Sequence, residues 1–230
     1  MKLILFDLDN TLLAGDSDYE WGQFLIEHGI VARDLYEHQN QIFYQQYKEG
    51  TLDIDVFLDF QLRPLAQHSR AQLQAWHAEF MQSRIQPMIT SAARHLVDRA
   101  LREADLVSII TATNSFVTAP IASALGVTHL IATEPEQING EFTGKVSGVP
   151  SFREGKITRL HQWLEGLGRQ FNDFDESWFY SDSHNDLPLL ALVSHPVAVN
   201  ADPILYAHAQ KHGWPNIRLG PDTTPDLPHD

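Results

Sequence analysis

The chain has 230 residues, 43% of them hydrophobic, with 16 basic against 30 acidic side chains and a formal charge of −14. That length suits one large domain or a core carrying a smaller insertion, and the apolar content suffices for a sizeable core. The charge argues against nucleic acid or an anionic membrane as partner, and the absence of cysteine excludes disulfides, thiolate zinc sites and cysteine nucleophiles.

The first apolar run, Leu3 to Phe6, meets acid at Asp7. It is too short for a signal peptide, and no stretch approaches the roughly 18 apolar residues of a membrane span. A soluble, cytoplasmic protein is expected. Leu3–Phe6 reads instead as a strand buried on both faces. From Gly15 to Arg84 the pattern changes. Phe24, Leu25 and His28, then Leu35, Ile42, Phe43 and Tyr47, recur at helical spacing, and Gly29, Gly50 and Pro64 divide the stretch into about four helices. Pro87 marks the return to the core.

Ala92, Leu96, Val97, Ala100 and Leu101 predict the next helix, capped by Thr90 or Ser91. Apolar runs at Leu106–Ile110, Thr128–Ala132, Trp178–Tyr180 and Pro196–Val199 predict further strands, and Ile157, Leu160, Leu164 and Leu167 another helix. Strands alternating with helices indicate a parallel sheet. Asn139-Gly140 between Glu136–Ile138 and Glu141–Val146 is a hairpin signal. The expected organisation is a core over 1–14 and 86–220, a helical cap over 15–85 and a loose polar tail over 221–230.

Four features carry chemistry. Asp7-Leu8-Asp9-Asn10-Thr11 directly follows the first strand; spacing by two turns both carboxylates to one side, and ligands of open α/β sheets bind beyond strand ends. The plain alternative is an Asx-turn. Thr111 closes the second strand ahead of Ala112, Thr113, Asn114 and Ser115, which suits either a phosphate cradle or an ordinary helix cap by one of the last three. Lys156 opens a helix, where the dipole opposes a cation, so it either meets an anion or is a solvated surface lysine. Ser181-Asp182-Ser183-His184-Asn185-Asp186 follows a strand, as oxygen ligands for a hard cation or as a turn capped by Asp182 or Ser183. None of the twelve histidines shows a compact metal-ligand spacing; His184 is the one that could line a pocket.

In this order the four features resemble the motifs of the haloacid dehalogenase (HAD) superfamily, and the helical insertion resembles the cap of subfamily IB, the phosphoserine-phosphatase-like branch. The resemblance covers essentially the whole chain and implies a doubly wound, Rossmann-like α/β core with a helical cap inserted after the first strand. It implies a Mg²⁺-dependent phosphatase acting on a small phosphorylated metabolite, with Asp7 as nucleophile, Asp9 as general acid and base, and Thr111 and Lys156 on the phosphoryl oxygens. Mg²⁺ would sit on the Asp7 carboxylate, the Asp9 carbonyl and Asp182. Ala112, Thr113, Asn114, Arg153, Asn185 and Asp186 would surround substrate or metal, with Arg63 and Arg84 as weaker candidates. The metal and Lys156 would let so acidic a chain bind an anion.

Asp16 and Asp18, at the entrance to the cap, are candidates for a substrate amine or are simply acids at a helix N-terminus. The ester is then of the phosphoserine or histidinol phosphate type. Ser181 and Ser183 replace glycines of the subfamily's G-D-G-x-N-D pattern, and Thr111-Ala112-Thr113 replaces Ser-Gly-Gly, which counts against phosphoserine. Transfer to an acceptor other than water is an alternative to hydrolysis, to be separated by phosphate release without added acceptor. A non-enzymatic receiver or binding module is another; it would keep a stable phospho-Asp7, and its class needs no helical insertion.

Overall fold

A computed structural model of the protein describes residues 1–220. The expected tail over 221–230 lies outside the described residues. Among them, no helix is long and apolar enough to cross a membrane.

The chain forms a doubly wound α/β fold around a seven-stranded sheet of order β4-β3-β2-β1-β5-β6-β7. The strands are β1 (Lys2–Phe6), β2 (Leu106–Asn114), β3 (His129–Ile138), β4 (Glu141–Ser147), β5 (Glu176–Ser181), β6 (His195–Val199) and β7 (Asn216–Ile217). All pairs are parallel except β3 with β4. The apolar run of β1 splits between the two faces. Ile4 and Phe6 join one core with α6 (Ser91–Glu103) and α7 (Ser115–Ala124). Leu3 and Leu5 join the other with α8 (Glu154–Gly166), α9 (Leu187–Leu190) and α10 (Pro203–His212). Period-two alternation beneath an unbroken hydrophobic run is what burial on both faces requires.

β2 and β3 lead away from β1 on one side, β5 and β6 on the other. The sheet therefore reverses direction at β1 and opens a crevice beyond its carboxyl end. Asp7 stands there: its N–H donates to the Tyr180 carbonyl at 2.9 Å, one step past the Phe6–Tyr180 pairing.

Between β1 and β2 come α1 (Ser17–Glu27), α2 (Arg33–Glu49), α3 (Ile54–Gln67), α4 (Arg70–Phe80), a π-helical turn (Met81–Ile85) and α5 (Gln86–Met88). Pro64 does not divide helices, contrary to the sequence expectation. It lies inside α3, near the C-terminal end, where few following turns depend on the bond it removes. Trp21, Phe24 and Leu25 of α1 and Phe80 of α4 pack in the β1 core, so the insertion is anchored at both ends while α2 and α3 rise above the crevice.

Asn139 (φ 55°) and Gly140 (φ 86°) make the tight turn expected between β3 and β4. The two runs expected before it are one continuous strand, with the register shifting between Pro135 and Gln137. Leu58, Leu62, Leu65 and Leu73 of α3 and α4 pack with Phe142 of β4. Gly144 (φ 81°) admits the close approach; a Cβ there would lie 3.1 Å from the Ala66 Cβ.

Candidate active site

The segment after β1 folds back on itself. Leu12 and Leu13 N–H groups donate to the Leu8 carbonyl, and Asn10 adopts φ 58°, a left-handed conformation asparagine tolerates. Leu8 is fully buried in the core, and Asp7 and Asp9 both line the crevice. One Asp9 oxygen accepts from the Ser17 N–H of α1 at 2.6 Å, the other from the Thr113 hydroxyl at 2.8 Å. The carboxylate is thus held between a helix N-terminus and the end of β2.

Lys156 is delivered from the opposite wall. Arg153 adopts φ 50° ahead of α8, and a Cβ on Gly155 would fall 2.1 Å from the Pro150 carbonyl oxygen, so the turn closes only around glycine. Lys156 is 3% exposed, and its Nζ donates to Asp7 Oδ1 and Asp186 Oδ2, both at 2.7 Å. It is not a solvated surface lysine. Asp186 is also held by the Ser181 hydroxyl at 2.6 Å. The Thr11 hydroxyl lies 3.1 Å from Asp182 Oδ1 and 3.4 Å from Asp7 Oδ2, which draws those two carboxylates together.

Three carboxylates crowd one lysine, Asp7 and Asp186 buried and Asp182 half-buried, and they are electrostatically unequal. Burial alone would lower Lys156, but Asp186 and Asp7 raise it above its ordinary value. Burial pushes Asp7 up, with Lys156 opposing and Asp186 reinforcing; Asp182 is raised well above its ordinary value by burial and then by Asp7 and Asp186. The lysine gains from every acid, while each acid gains from only a share of one lysine. Asp9 is raised to about 6, first by burial and then by Asp16, against the bonds from Ser17 and Thr113.

Asp16 and Asp18 part ways. Asp16 is the N-cap of α1, accepting from the Asp18 and Tyr19 N–H groups at 2.9 Å. Asp18 is only 6% exposed and lines the crevice, and its carboxylate has no hydrogen-bonding or ion-pair partner among the described residues. Burial, then Asp16 and Asp9, push it well up.

Thr111, Ala112 and Thr113 line the crevice from within β2, which runs on to Asn114 rather than ending at Ile110. Asn114 is a correction to the sequence reading. It caps α7, accepting from the Val117 N–H at 3.2 Å, and does not line the crevice. Arg153 also stays outside: it donates to Asn185 Oδ1 at 3.0 Å and to the Gly50 carbonyl, joining core to insertion. Arg63 pairs with Asp59, and Arg84 with Glu20 and Glu27, so neither faces the crevice. His184 bonds Asp202 at 2.8 Å in a neighbouring groove, which Asp182 also lines.

The serines that replace glycine have internal roles. Ser183 caps the turn through the Asn185 N–H, and its Oγ accepts from the Tyr47 hydroxyl of α2 at 2.9 Å. Sequence reasoning missed these, and it missed Asn40, Tyr44 and Gln61 as crevice-lining residues. Asn40, Phe43, Tyr44 and Tyr47 follow the i, i+3, i+4, i+7 spacing of one α2 face, a signal that was present in the chain. The crevice is open to solvent, and its wall between α2, α3 and the strand ends is largely apolar.

The family model for haloacid dehalogenase-like hydrolases matches residues 4–191. The chain is 47% identical to a histidinol-phosphatase of Neisseria meningitidis serogroup C, over 95% of this chain and 99% of that one. A crystal structure of a protein of unknown function from Bordetella pertussis Tohama I superposes with a TM-score of 0.89 at 49% identity, over 94% and 97% of the two chains. A phospho-aspartyl intermediate analogue of phosphoserine phosphatase shares the fold, with a TM-score of 0.65 at 20% identity over 90% of each chain. The chain belongs to the haloacid dehalogenase-like hydrolase family, as a phosphoric monoester hydrolase of phosphoserine-phosphatase-like build.

Proposed function

We propose that the protein hydrolyses a small phosphate ester that carries an amine and no carboxylate, of the histidinol phosphate type, with Mg²⁺ and through an aspartyl-phosphate on Asp7. The observation that carries the substrate reading is Asp18: a buried carboxylate in the crevice with no cation partner of its own. A substrate ammonium would complete it. A substrate carboxylate would meet no such welcome. The one cation lining the crevice among the described residues is Lys156, already shared by Asp7 and Asp186. The name of the 47% identical relative agrees with this choice over phosphoserine.

The donor set fits Mg²⁺. Asp7 and Asp182 converge on one hydroxyl, and the carboxylates around Lys156 outnumber it. No cluster of three His, Cys, Asp or Glu side chains suited to a metal occurs among the described residues. Two carboxylates, with the Asp9 carbonyl and water, suit a hard cation that keeps part of its hydration. When bound, the ion supplies positive charge against the phosphoryl oxygens and favours ionised Asp7.

A carboxylate oxygen of Asp7 attacks phosphorus, and the bond from phosphorus to the ester oxygen breaks. Asp9, raised to about 6 and held by Ser17 and Thr113, gives its proton to the departing alkoxide. Water then attacks phosphorus, Asp9 takes its proton, and the bond from phosphorus to Asp7 breaks to release phosphate. Lys156 and Thr111 bind the transferring oxygens throughout.

Phosphate release with Mg²⁺ and no added acceptor tests the reading. Histidinol phosphate is expected to exceed phosphoserine in kcat/KM by about 100-fold, since discrimination here rests on an uncompensated buried charge. Asp18→Asn is expected to lower the ratio of an amine-bearing to an amine-free ester by about 10- to 100-fold. Preference for phosphoserine, or an unchanged ratio in Asp18→Asn, would overturn the substrate reading.

A second expectation concerns stability without metal. The carboxyls of Asp7 and Asp9 sit above their unfolded value of 3.8, Asp7 at about 7, so the native state binds more protons than the unfolded chain between those values. Their contribution is complete below 3.8 and lost as pH rises through about 7. Asp16, Asp18 and Asp182 act in the same direction, and Asp175 and Asp202 in the opposite one. In EDTA the melting temperature should fall across this window. Mg²⁺ at a hundredfold excess over its Kd should restore about 2.7 kcal/mol near neutrality. A melting temperature that rises with pH in EDTA and ignores Mg²⁺ would contradict both the burial argument and the metal assignment.

A further inference from the structure

The crevice contains more unpaired polar groups than the reaction consumes. Asn40 on α2 is 6% exposed, and its Nδ2 is buried without an acceptor. Gln61 on α3 is 7% exposed, and its amide has no partner among the described residues. Both line the same crevice as Asp7 and Asp18. Native proteins pair nearly all their buried amides, so the buried Asn40 Nδ2 needs an explanation, and the Gln61 amide stands unpaired in the same pocket.

Their surroundings narrow it. A Cβ on Gly22 of α1 would lie 3.0 Å from Asn40 Nδ2, so the amide packs closely against α1. Nothing bonded to it dictates which end meets the crevice, and it can present N–H or C=O there. Around the amides stand aromatic rings. Phe43 and Phe57 lie edge to face with centroids 5.2 Å apart, and Tyr47 and Phe152 lie 6.3 Å apart. The wall is apolar and aromatic, broken by two amides that each offer a donor and an acceptor.

We propose that Asn40 and Gln61 form a subsite for a planar heteroaromatic ring with one donor and one acceptor nitrogen, an imidazole, while the phosphate lies at Asp7 and the amine at Asp18. This rests on the amine-bearing, carboxylate-free ester proposed above and names the remaining part of that molecule. A neutral imidazole complements the two amides, and its faces suit the aromatic wall. An aliphatic chain or a phenyl ring would fill the space and leave both amides unpaired, which is the strongest basis for rejection a binding site has.

The test compares histidinol phosphate with phenylalaninol phosphate, which keeps the amine and an aromatic ring but lacks ring nitrogens. The quantity read is the ratio of their kcat/KM values within one preparation, so any loss of folded enzyme cancels. The wild type should favour histidinol phosphate by about 100-fold. Asn40→Leu and Gln61→Met, both near-isosteric, should each lower the ratio by about tenfold or more. If the wild type hydrolyses both esters with a ratio near one, or neither variant changes the ratio, the ring subsite is wrong while the amine-ester reading stands. If the wild type prefers phosphoserine to both, that reading falls and the subsite falls with it.

Discussion

Asp7→Asn should reduce phosphate release by about 10⁴-fold or more while the protein stays folded, because removing a covalent nucleophile costs catalysis on that scale. The fold should tolerate the change for a local reason. Burial works against the Asp7 charge in this site, and Lys156 keeps its second partner, Asp186, at 2.7 Å. Replacing a disfavoured buried carboxylate by a neutral amide of the same shape removes the desolvation cost and leaves the lysine paired. In EDTA near neutrality, the variant should therefore melt no lower than the parent. Circular dichroism melts beside a phosphate-release assay check both parts. Near-normal turnover in Asp7→Asn would exclude the covalent route, and Asp9 could not compensate, since it is held by Ser17 and Thr113.

Lys156→Met should damage both stability and turnover. The substitution leaves Asp7, Asp182 and Asp186 without the one cation they share. Breaking a buried pair from one side typically costs about 3–5 kcal/mol, and removing a fixed charge from the transferring phosphoryl group about 10²–10³-fold in rate. The stability loss should deepen as pH rises above about 7, where Asp7 ionises beside Lys156 in the parent and has no cation to meet in the variant. Adding Asp7→Asn to Lys156→Met should recover part of that loss, by about 0.5–3 kcal/mol, as expected of residues in one network. Additive losses in the double variant would mean that the two side chains are not electrostatically coupled. Lys156→Arg should not rescue activity, since a planar guanidinium cannot replace a compact ammonium between Asp7 and Asp186 at 2.7 Å on each side.

Much of the catalytic end was legible in the chain because a parallel sheet brings the carboxyl ends of its strands to one edge. Asp7 after β1, Thr111 in β2 and Asp182 after β5 each stand at such an end, so linear order already implied spatial convergence. Lys156 was less certain. A lysine at a helix start reads equally as solvated surface, and only the tight turn around Gly155 decides that it is buried. The insertion was the least legible part. Asp16 and Asp18 are two residues apart, chemically identical and both on the crevice wall, yet Asp16 is bonded to the N-terminus of α1 and the Asp18 carboxylate is left without a partner among the described residues. Asn40 and Gln61 look like the polar residues of any helix surface, because a helix shows in sequence which side is apolar but not what will cover it. Asn114 and Arg153 lie where the motif order suggests a ligand, and both are committed to internal bonds. By itself, then, the sequence determined the fold and the order in which the crevice residues follow the strands, since both follow from strand ends and short-range spacing. The carboxylates that meet Lys156, the hydroxyl from β2 that meets Asp9 and the shape of the substrate pocket were decided only by the tertiary structure, because each depends on residues more than 20 positions apart packing face to face.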